Sequence, residues 1–596
     1  MLRTAALEAR LLARPATLPS PALRRLVHSA PSVARKAASP TTTPAPADDA
    51  AAARRSLRTS ASQPAAGTAH LSASGAAHEA APALPDDYKP QDPLATLDAA
   101  YLSRTTAHLQ ASSLSDLMRQ WVVYAVSEQS LLVSMGPWFV AKLQWANDNV
   151  PVLGPAAWAV FAAGMNSTFY RVFVGGETVP GCAEQVQRYA DRGIGVMLNY
   201  SAEAPLGTSK AGGGIDEAAM TEITNAVGEA ARLIPSSSTA DAAAIKPALL
   251  AIKLTGLIYD ASILARATTA LINDPAVKAG GRVPSDILFP KSDALSAEDH
   301  ELLDKLYAGL RKVASEAQKH NLRLLVDAEQ SWFQPAIDRF VDLLSEEYNR
   351  VRPASSSDAP PSAPIVYNTY QCYLRDAPAR IKEQLAHADK HGYSFGAKLV
   401  RGAYQEAERA LHEKNPVAEH CVVHGTKADT DNCYDECAGI LEKRLVADLA
   451  KKNAADQPGV GVVLASHNGT SMKKFLQSLR DDGLAKEEDG GLRVDERVRG
   501  RVAFGQLMGM SDNLTISLIN LMRPHPSGPG ADPTLAPLVV KYMPYASLAQ
   551  GLPYLTRRAS ENQSILKGDP TSGRGGAREE RRAVGKEIRR RFGIPF

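Results

Sequence analysis

From about residue 190 onward the chain alternates between two textures. A short run rich in Val, Ile and Leu ends abruptly in polar or charged residues, and a longer, charged segment with helical spacing follows. The runs are GIGVMLNYSAE (193–203), ALLAIKLTGL (248–257), LRLLVDAEQ (322–330), PIVYNTYQCYL (364–374), FGAKLVRGAY (395–404), GVVLASHNG (461–469), RVAFGQLMGM (501–510) and LVVKYMPYAS (538–547). Continuous apolar runs suit parallel strands buried on both faces, and their alternation with helices predicts βα units. Eight units over roughly 370 residues predict an α/β fold, a (β/α)8 barrel with insertions. A doubly wound open sheet fits the same periodicity, which does not separate the two.

In such a barrel the chemistry sits at the carboxyl ends of the strands. That is where polar residues fall in these runs: Asn199, Lys253, Asp327, Asn368, Lys398 with Arg401, His467, Gln506 and Tyr542.

The rest of the chain divides around this core. Residues 90–190 carry helical patterns without strands and predict a helical arm packed on the barrel. Within it, VPVLGPAAWAVFAAGM (150–165) is short for a membrane span and holds two prolines, so it is expected to be buried core, with contact to a membrane surface through such a helix as the alternative. SSSTADAA (236–243), PASSSDAPPSAP (353–364) and RPHPSGPGADPTLAP (523–537) read as surface loops. The ending REERRAVGKEIRRRFGIPF reads as a basic terminal helix with a solvated face.

The first 85 or so residues are different. Arginines recur, and after Glu8 no acid appears until Asp48. Leu and Ala recur at helical spacing with Arg on the other face, the composition of a mitochondrial presequence. From 37 to 85 the chain is rich in Pro and Ala and poor in aromatics, so disorder is expected there. The expected organisation is a presequence and linker (1–85), an arm (86–190), the barrel (191–570) and a basic tail (571–596).

Composition changes this picture little. The chain has 596 residues, 44% hydrophobic and 22% charged, ordinary for a globular protein. A net charge of +3 over that length makes no case for nucleic acid as a partner. Five scattered cysteines argue against a disulfide framework and for a reducing compartment.

The candidate chemistry is defined partly by what is missing. No GxGxxG follows any of the runs and no GxxxxGK[ST] occurs, so neither a Rossmann site nor a P-loop is expected. A phosphate-bearing cofactor would need another clamp. AKLVRGAY offers one, because Lys398 and Arg401 straddle a strand end and Gly402 lets backbone N–H groups approach an anion. The same two cations could be salt-bridged structural residues.

Asp327 and Glu329 lie two apart and share a face while the strand persists. A carboxylate deep in a barrel mouth needs a partner charge, which Arg557 or Arg558 could supply. Paired carboxylates could also serve glycoside hydrolysis, but cations crowd the same rim. Lys253 could form a Schiff base or bind a carboxylate. In YLTRRASEN (554–562), a helix sets Arg557 beside Arg558 and Glu561 one turn below Arg557. Cys421, His424, Cys433 and Cys437 offer soft ligands, but their gaps match no standard zinc spacing, so no metal is expected.

Taken in order, LVDAEQSWFQPAID, VYNTYQCYL, FGAKLVRGAYQEAER, VLASHN, FGQLMGMSDNLT and KYMPYASLAQGLPYLTRRASEN make the chain resemble the mitochondrial proline dehydrogenases, also called proline oxidases. The resemblance runs from STFYRVFVGGE (167–177) to the RRASEN helix. It implies a distorted (β/α)8 barrel that binds FAD without a Rossmann fold. It also implies oxidation of L-proline to Δ1-pyrroline-5-carboxylate, electrons passed to ubiquinone, and peripheral contact with the matrix side of the inner mitochondrial membrane.

By the same resemblance, Arg557 and Arg558 clamp the proline carboxylate with help from Lys253, and Glu561 helps to set that cluster. Asp327 pairs with an arginine, while Tyr542 and Leu507 pack on the substrate ring. FAD is held by Asn368 and Gln371, by Lys398, Arg401, Gly402, Ala403 and Tyr404, and by Ser466, His467 and Asn468. Bacterial relatives typically show Arg where Lys398 stands and Lys where Arg401 stands, so the contacts there are expected to be exchanged. The interruption at 523–537 is long for the family.

Overall fold

The structure is a computed structural model that describes residues 90–110, 112–201, 214–233, 248–351, 362–414, 421–451, 456–522, 537–566 and 577–594. The segment read as presequence and linker lies outside the described residues, as do most of the loops expected at 236–243, 353–364 and 523–537.

Helices come first, as the pattern predicts: α1 (Leu114–Ser127), α2 (Ser130–Asn149), α3 (Leu153–Met165) and α4 (Ala183–Ala190). Ser113 caps α1 by accepting from the Asp116 N–H at 3.1 Å. The arm is tied to the last strand of the barrel. Tyr170 Oη donates to the Ala546 carbonyl at 2.6 Å, and the Gly175 N–H donates to Pro544 O at 2.9 Å.

Each of the eight apolar runs forms a strand. They are β1 (Gly195–Tyr200), β2 (Leu249–Ile252), β3 (Arg323–Val326), β4 (Val366–Gln371), β5 (Phe395–Val400), β6 (Val460–Ala465), β9 (Val502–Leu507) and β10 (Val539–Tyr545). All eight pair in parallel, in the closed order β1-β10-β9-β6-β5-β4-β3-β2. Closure comes from β1 against β10, in register from Gly195↔Val540 to Tyr200↔Tyr545. A doubly wound open sheet is excluded.

Helices α5 (Glu217–Leu233), α6 (Ser262–Asn273), α7 (Ala297–Lys319), α8 (Gln334–Tyr348), α9 (Ala377–His391), α10 (Gln405–Lys414), α11 (Lys427–Leu449), α12 (Gly469–Asp481) and α13 (Asp512–Met522) lie between the strands. Their starts are chemically marked. Ser296 with Asp299 and Thr426 with Asp429 form capping boxes at α7 and α11, and Asn468 caps α12. The strand faces divide by parity. Met197, Leu249, Ala251, Leu325, Tyr367, Val463, Ala503 and Val540 fill the barrel interior, with Tyr542 packed on them. Their neighbours in sequence, such as Leu198, Leu250, Leu324 and Val366, join the larger cluster beneath the helices. Each fully buried aliphatic side chain of this kind stabilises the fold by roughly 1.5–3 kcal/mol.

Two features depart from the sequence pattern. A hairpin, β7 (Ala485–Glu488) with β8 (Gly491–Val494), sits between α12 and β9. Its two-residue turn holds Asp489 at φ 53° and Gly490 at φ 75°. An Asp-Gly pair between strand-like runs is the turn signal that marks it. The second departure is the stretch 150–165, expected in the core. It forms α3, with Val152, Leu153 and Val160 at 80%, 74% and 75% exposure. Its inner residues Trp158, Phe161, Ala162 and Met165 pack on Phe169, Leu552 and their neighbours. The opposite face has nothing against it among the described residues.

The last helices leave the barrel wall. Helix α14 (Leu548–Leu566) follows β10 and packs on α1 and α2, and α15 (Ala577–Arg591) packs on α1.

Candidate active site

Parity decides which strand-end residues share the barrel interior. Asp327 continues the face of Leu325, Lys398 that of Gly396, and Tyr542 that of Val540. The three meet. Lys398 Nζ donates to Asp327 Oδ1 at 2.6 Å, and Tyr542 Oη donates to Asp327 Oδ2 at 2.8 Å. The ammonium of Lys398 also lies 4.7 Å from the centre of the Tyr542 ring. Asp327 and Lys398 are buried. The partner expected for Asp327 was an arginine, but Lys398 and Tyr542 occupy its two oxygens. Lys398 reaches it because β5 is two strands from β3, close across a narrow interior.

A second group lies at the same strand ends. Lys253 ends β2 and opens a helical turn, Leu254–Leu257. Buried Glu329 fixes that turn, accepting from Thr255 N at 3.0 Å and Thr255 Oγ1 at 2.5 Å. Lys253 Nζ lies 6.0 Å from the ring centre of Tyr404, and the Arg557 guanidinium lies 5.9 Å from the same ring. Tyr404 follows β5, whereas Arg557 is on α14 after β10. For α14 to reach Tyr404 it must cross the carboxyl end of the barrel instead of lying along its wall. Leu548, Leu552, Tyr554 and Leu555 hold it there against Phe169, Tyr170, Phe173 and Met510, and Leu507 packs on the same cluster.

Arg558 is buried, 5.1 Å from the ring centre of Tyr554. The side chain of Glu561 lies outside the described residues, as does that of Ser560.

The β4–β6 side of the mouth, from which Lys398 and Tyr404 come, carries further polar residues. Gly402 has φ +90°, where any other residue would be strained. Arg401 turns outward to the helices. It pairs with Asp431, donates to Ser471 Oγ at 2.8 Å and stacks 3.8 Å from the ring centre of Tyr434. Lys398 and Arg401 therefore do not form one clamp, because three residues along a strand reverse the face. Asn368 is likewise turned away from the interior. Its Nδ2 donates to Asp338 on α8 at 3.0 Å, so direct contact with a ligand in the barrel is not its geometry. Gln506 faces α13, where it accepts from Thr515 at 3.1 Å.

Gln371 and the Ser466–Asn468 turn sit at the ends of β4 and β6. Gln371 Nε2 donates to Tyr373 at 2.9 Å. Ser466 Oγ accepts from Asn468 N at 3.1 Å, and Asn468 Oδ1 accepts from Thr470 N at 3.0 Å as the cap of α12. A capped helix start next to a strand end favours anions. Gln371 Oε1, Arg401 Nε and His467 Nδ1 are buried without a hydrogen-bond partner among the described residues. Burial, helped by Lys541 and Arg558, pushes the His467 imidazole down to about 3, so it is neutral.

Sequence reasoning passed over Lys541. It is fully buried, paired with Asp512 at 2.7 Å, and donates to Met510 O at 2.7 Å and Leu507 O at 3.3 Å. It pins the loop after β9 beneath α14. A lone Lys inside LVVKYMPY was the available signal. Cys433 and Cys437 are buried on α11, with Cys433 Sγ 3.7 Å from Leu374 O.

Comparison with known proteins adds the following. A family model described as proline dehydrogenase matches residues 182–568. The chain is 30% identical over 477 residues to a protein of Arabidopsis thaliana named proline dehydrogenase 1, mitochondrial, covering 76% of this chain and 80% of that one. It is 30% identical over 438 residues to the hydroxyproline dehydrogenase of Xenopus laevis, covering 73% and 80%. Among solved structures, proline utilization A from Bdellovibrio bacteriovorus superposes with a TM-score of 0.49 at 18% identity, covering 78% of this chain and 39% of that one.

Proposed function

This chain belongs to the proline dehydrogenase family, and we propose that it oxidises L-proline to Δ1-pyrroline-5-carboxylate with FAD and passes the electrons to ubiquinone. We place it on the matrix side of the inner mitochondrial membrane. The observation that carries the reading is the reach of Arg557, on α14, across the carboxyl end of the barrel to Tyr404, a ring that Lys253 also approaches, at the strand ends where Asp327, Lys398 and Tyr542 meet.

The residues present fit a bound flavin. Orphaned Gln371 Oε1, Arg401 Nε and His467 Nδ1 require polar partners. Gln371, Gly402, Ala403, Tyr404 and the Ser466–Asn468 turn at the start of α12 would hold FAD, with Arg401 fixed close by. Lys398 and Asn368 act behind this set, through Asp327 and Asp338. When bound, FAD would supply the acceptor for the hydride that leaves the carbon beside the ring nitrogen.

The chain's own residues bind and aim the substrate. A carboxylate takes no part in the redox step, so it serves as a fixed point of attachment. Arg557 and Arg558 give it planar, bidentate recognition, and Lys253 adds a third positive charge. Each charge-assisted hydrogen bond is worth roughly 1.5–3 kcal/mol. Tyr542 and Leu507 close on the apolar ring. The Tyr542 phenol cannot swing into the pocket because Asp327 holds it, so its ring presents a fixed face. Orientation supplies the rate enhancement, and no protein nucleophile is needed. His467 is neutral, so it would hydrogen-bond the cofactor instead of removing protons.

The test is a spectrum of the purified protein. Bound flavin and its loss of visible absorbance on adding L-proline are expected. A colourless protein that cannot take up FAD would overturn the reading. Steady-state comparison of proline with 4-hydroxyproline checks which imino acid is preferred.

A further inference from the structure

Residues 130–165 carry only two charged side chains, Lys142 and Asp148. They fold as α2 and α3, packed against each other as a hairpin. Among the described side chains of α2, the exposed large apolar ones are Met135, Trp138, Phe139 and Trp145, at 45%, 58%, 50% and 43%. Their spacing places them on one face, with Lys142 among them. Along α3 and the turn before it, Val152, Leu153 and Val160 are each exposed by 74% or more. Helix α1, which also packs on α2, adds Met118, Trp121 and Val122. Scattered apolar residues on a surface need no explanation, but ten on three packed helices mark an interaction surface.

Charge identifies the occupant. Helix α15 packs along α1, and the Arg581 guanidinium lies 5.7 Å from the ring centre of Trp121, at the seam between the two. Arg582, Lys586 and Arg589 are exposed at spacings of four and three residues, and Phe592 and Ile594 are exposed beyond them. The one acid between 581 and 594, Glu587, is buried and paired with Arg590 and Arg591. An aromatic and aliphatic face beside a cationic one suits the boundary of an anionic bilayer. There Trp rings sit at headgroup depth, Lys stems extend toward water, and basic side chains meet lipid charge. A second copy of this chain would bring the same cations against each other. Spanning is not the mode. Helix α3 has 13 residues, about 20 Å at its rise, against roughly 30 Å of hydrocarbon. No described helix is long and apolar enough to cross a membrane.

We propose that the α1–α3 face with α15 is a membrane-docking surface that inserts shallowly into an anionic lipid interface. Its consequence rests on the functional reading above. Because α2 packs on α14, docking would bring the arginine-bearing helix and the barrel mouth close to the bilayer, where an apolar electron acceptor resides. Docking itself is independent of that reading.

The test uses the full-length protein, flavin-loaded where it takes up FAD. Flotation with phosphatidylcholine vesicles is compared with flotation when phosphatidylglycerol is included. The protein is expected to float with the anionic vesicles, at least about tenfold more than with the neutral ones. The triple variant Trp138→Ser, Phe139→Ser, Val160→Ser should lose this binding about tenfold or more. Its flavin content and its reduction by proline in solution should not change. Arg582→Glu with Lys586→Glu should remove the preference for anionic lipid. Failure of the full-length protein to float, as when another segment covers the face, overturns the proposal. So does a triple variant that floats undiminished, or one that changes only from dimer to monomer in light scattering. A protein that floats but is not reduced by proline keeps this proposal and sinks the functional reading.

Discussion

Lys398 and Asp327 lie 2.6 Å apart inside the barrel, on strands that are not neighbours, and both are buried. Tyr542 takes the second carboxylate oxygen. A buried pair is weak evidence for stability as such, but breaking one is costly, because the remaining charge is stranded. Asp327→Asn is therefore expected to destabilise the protein by about 3–5 kcal/mol in urea unfolding. The double variant Asp327→Leu, Lys398→Met should recover most of that loss while abolishing turnover. A single variant within about 1 kcal/mol of the parent would mean that the pair is solvated and does not organise the pocket.

Arg558 is buried beside Tyr554, and Arg557 is held near Tyr404 on the far rim. If they grip the substrate carboxylate, Arg558→Met should raise KM for proline by about a hundredfold, the equivalent of one lost charge-assisted bond or two. Flavin content should stay unchanged. Tyr404→Leu removes the ring common to Arg557 and Lys253, so it should raise KM less and lower flavin retention as well. An unaltered KM in Arg558→Met would refute the carboxylate assignment.

The strand pattern and the polar strand ends were legible in the sequence because buried parallel strands leave long apolar runs with abrupt ends. Which ends face inward was less legible. Asn368 and Lys398 occupy similar positions in their runs, yet one faces Asp338 and the other Asp327. Side-chain parity depends on the register at which each strand enters the barrel, and single runs do not encode that. The RASEN helix pattern was visible, but its passage over the mouth depends on packing against arm residues such as Phe169 and Phe173, some 380 positions away. The apolar stretch 150–165 misled because its composition suits a helix buried all round, whereas only one face of α3 packs on Phe169, Leu552 and their neighbours.

Arg401 is held at three points, by Asp431, Ser471 and the face of Tyr434, leaving Nε without a partner among the described residues. A guanidinium fixed so firmly aims its remaining donor. Arg401→Lys keeps the charge but loses the stacking and the fork, so it should weaken flavin retention about tenfold. Asp431→Asn should do so by less, because Ser471 and Tyr434 still orient the guanidinium. The check is the residual flavin after dialysis. Full occupancy in Arg401→Lys would remove Arg401 from the cofactor site.

His387 gives a pH signature remote from chemistry. It is half-buried between α8 and α9, with Glu346 2.9 Å from Nε2, Arg282 nearby and the His391 ring tilted against it at 4.2 Å between centres. Burial first, then Arg282, pushes it down to about 4 despite Glu346. The unfolded chain takes its proton near pH 6.5 and the folded protein does not until about pH 4. The stabilisation is thus complete above about pH 6.5 and lost as pH falls toward about 4, up to about 3 kcal/mol for this group. His387→Gln should flatten that part of the stability profile without touching kcat at neutral pH. His467, lower still at about 3, stays neutral where the enzyme works, so His467→Asn should leave the shape of the rate profile intact. That profile should rise with pH as the substrate amine loses its proton. An acid limb that disappears in His467→Asn would show instead that the imidazole titrates in the working range.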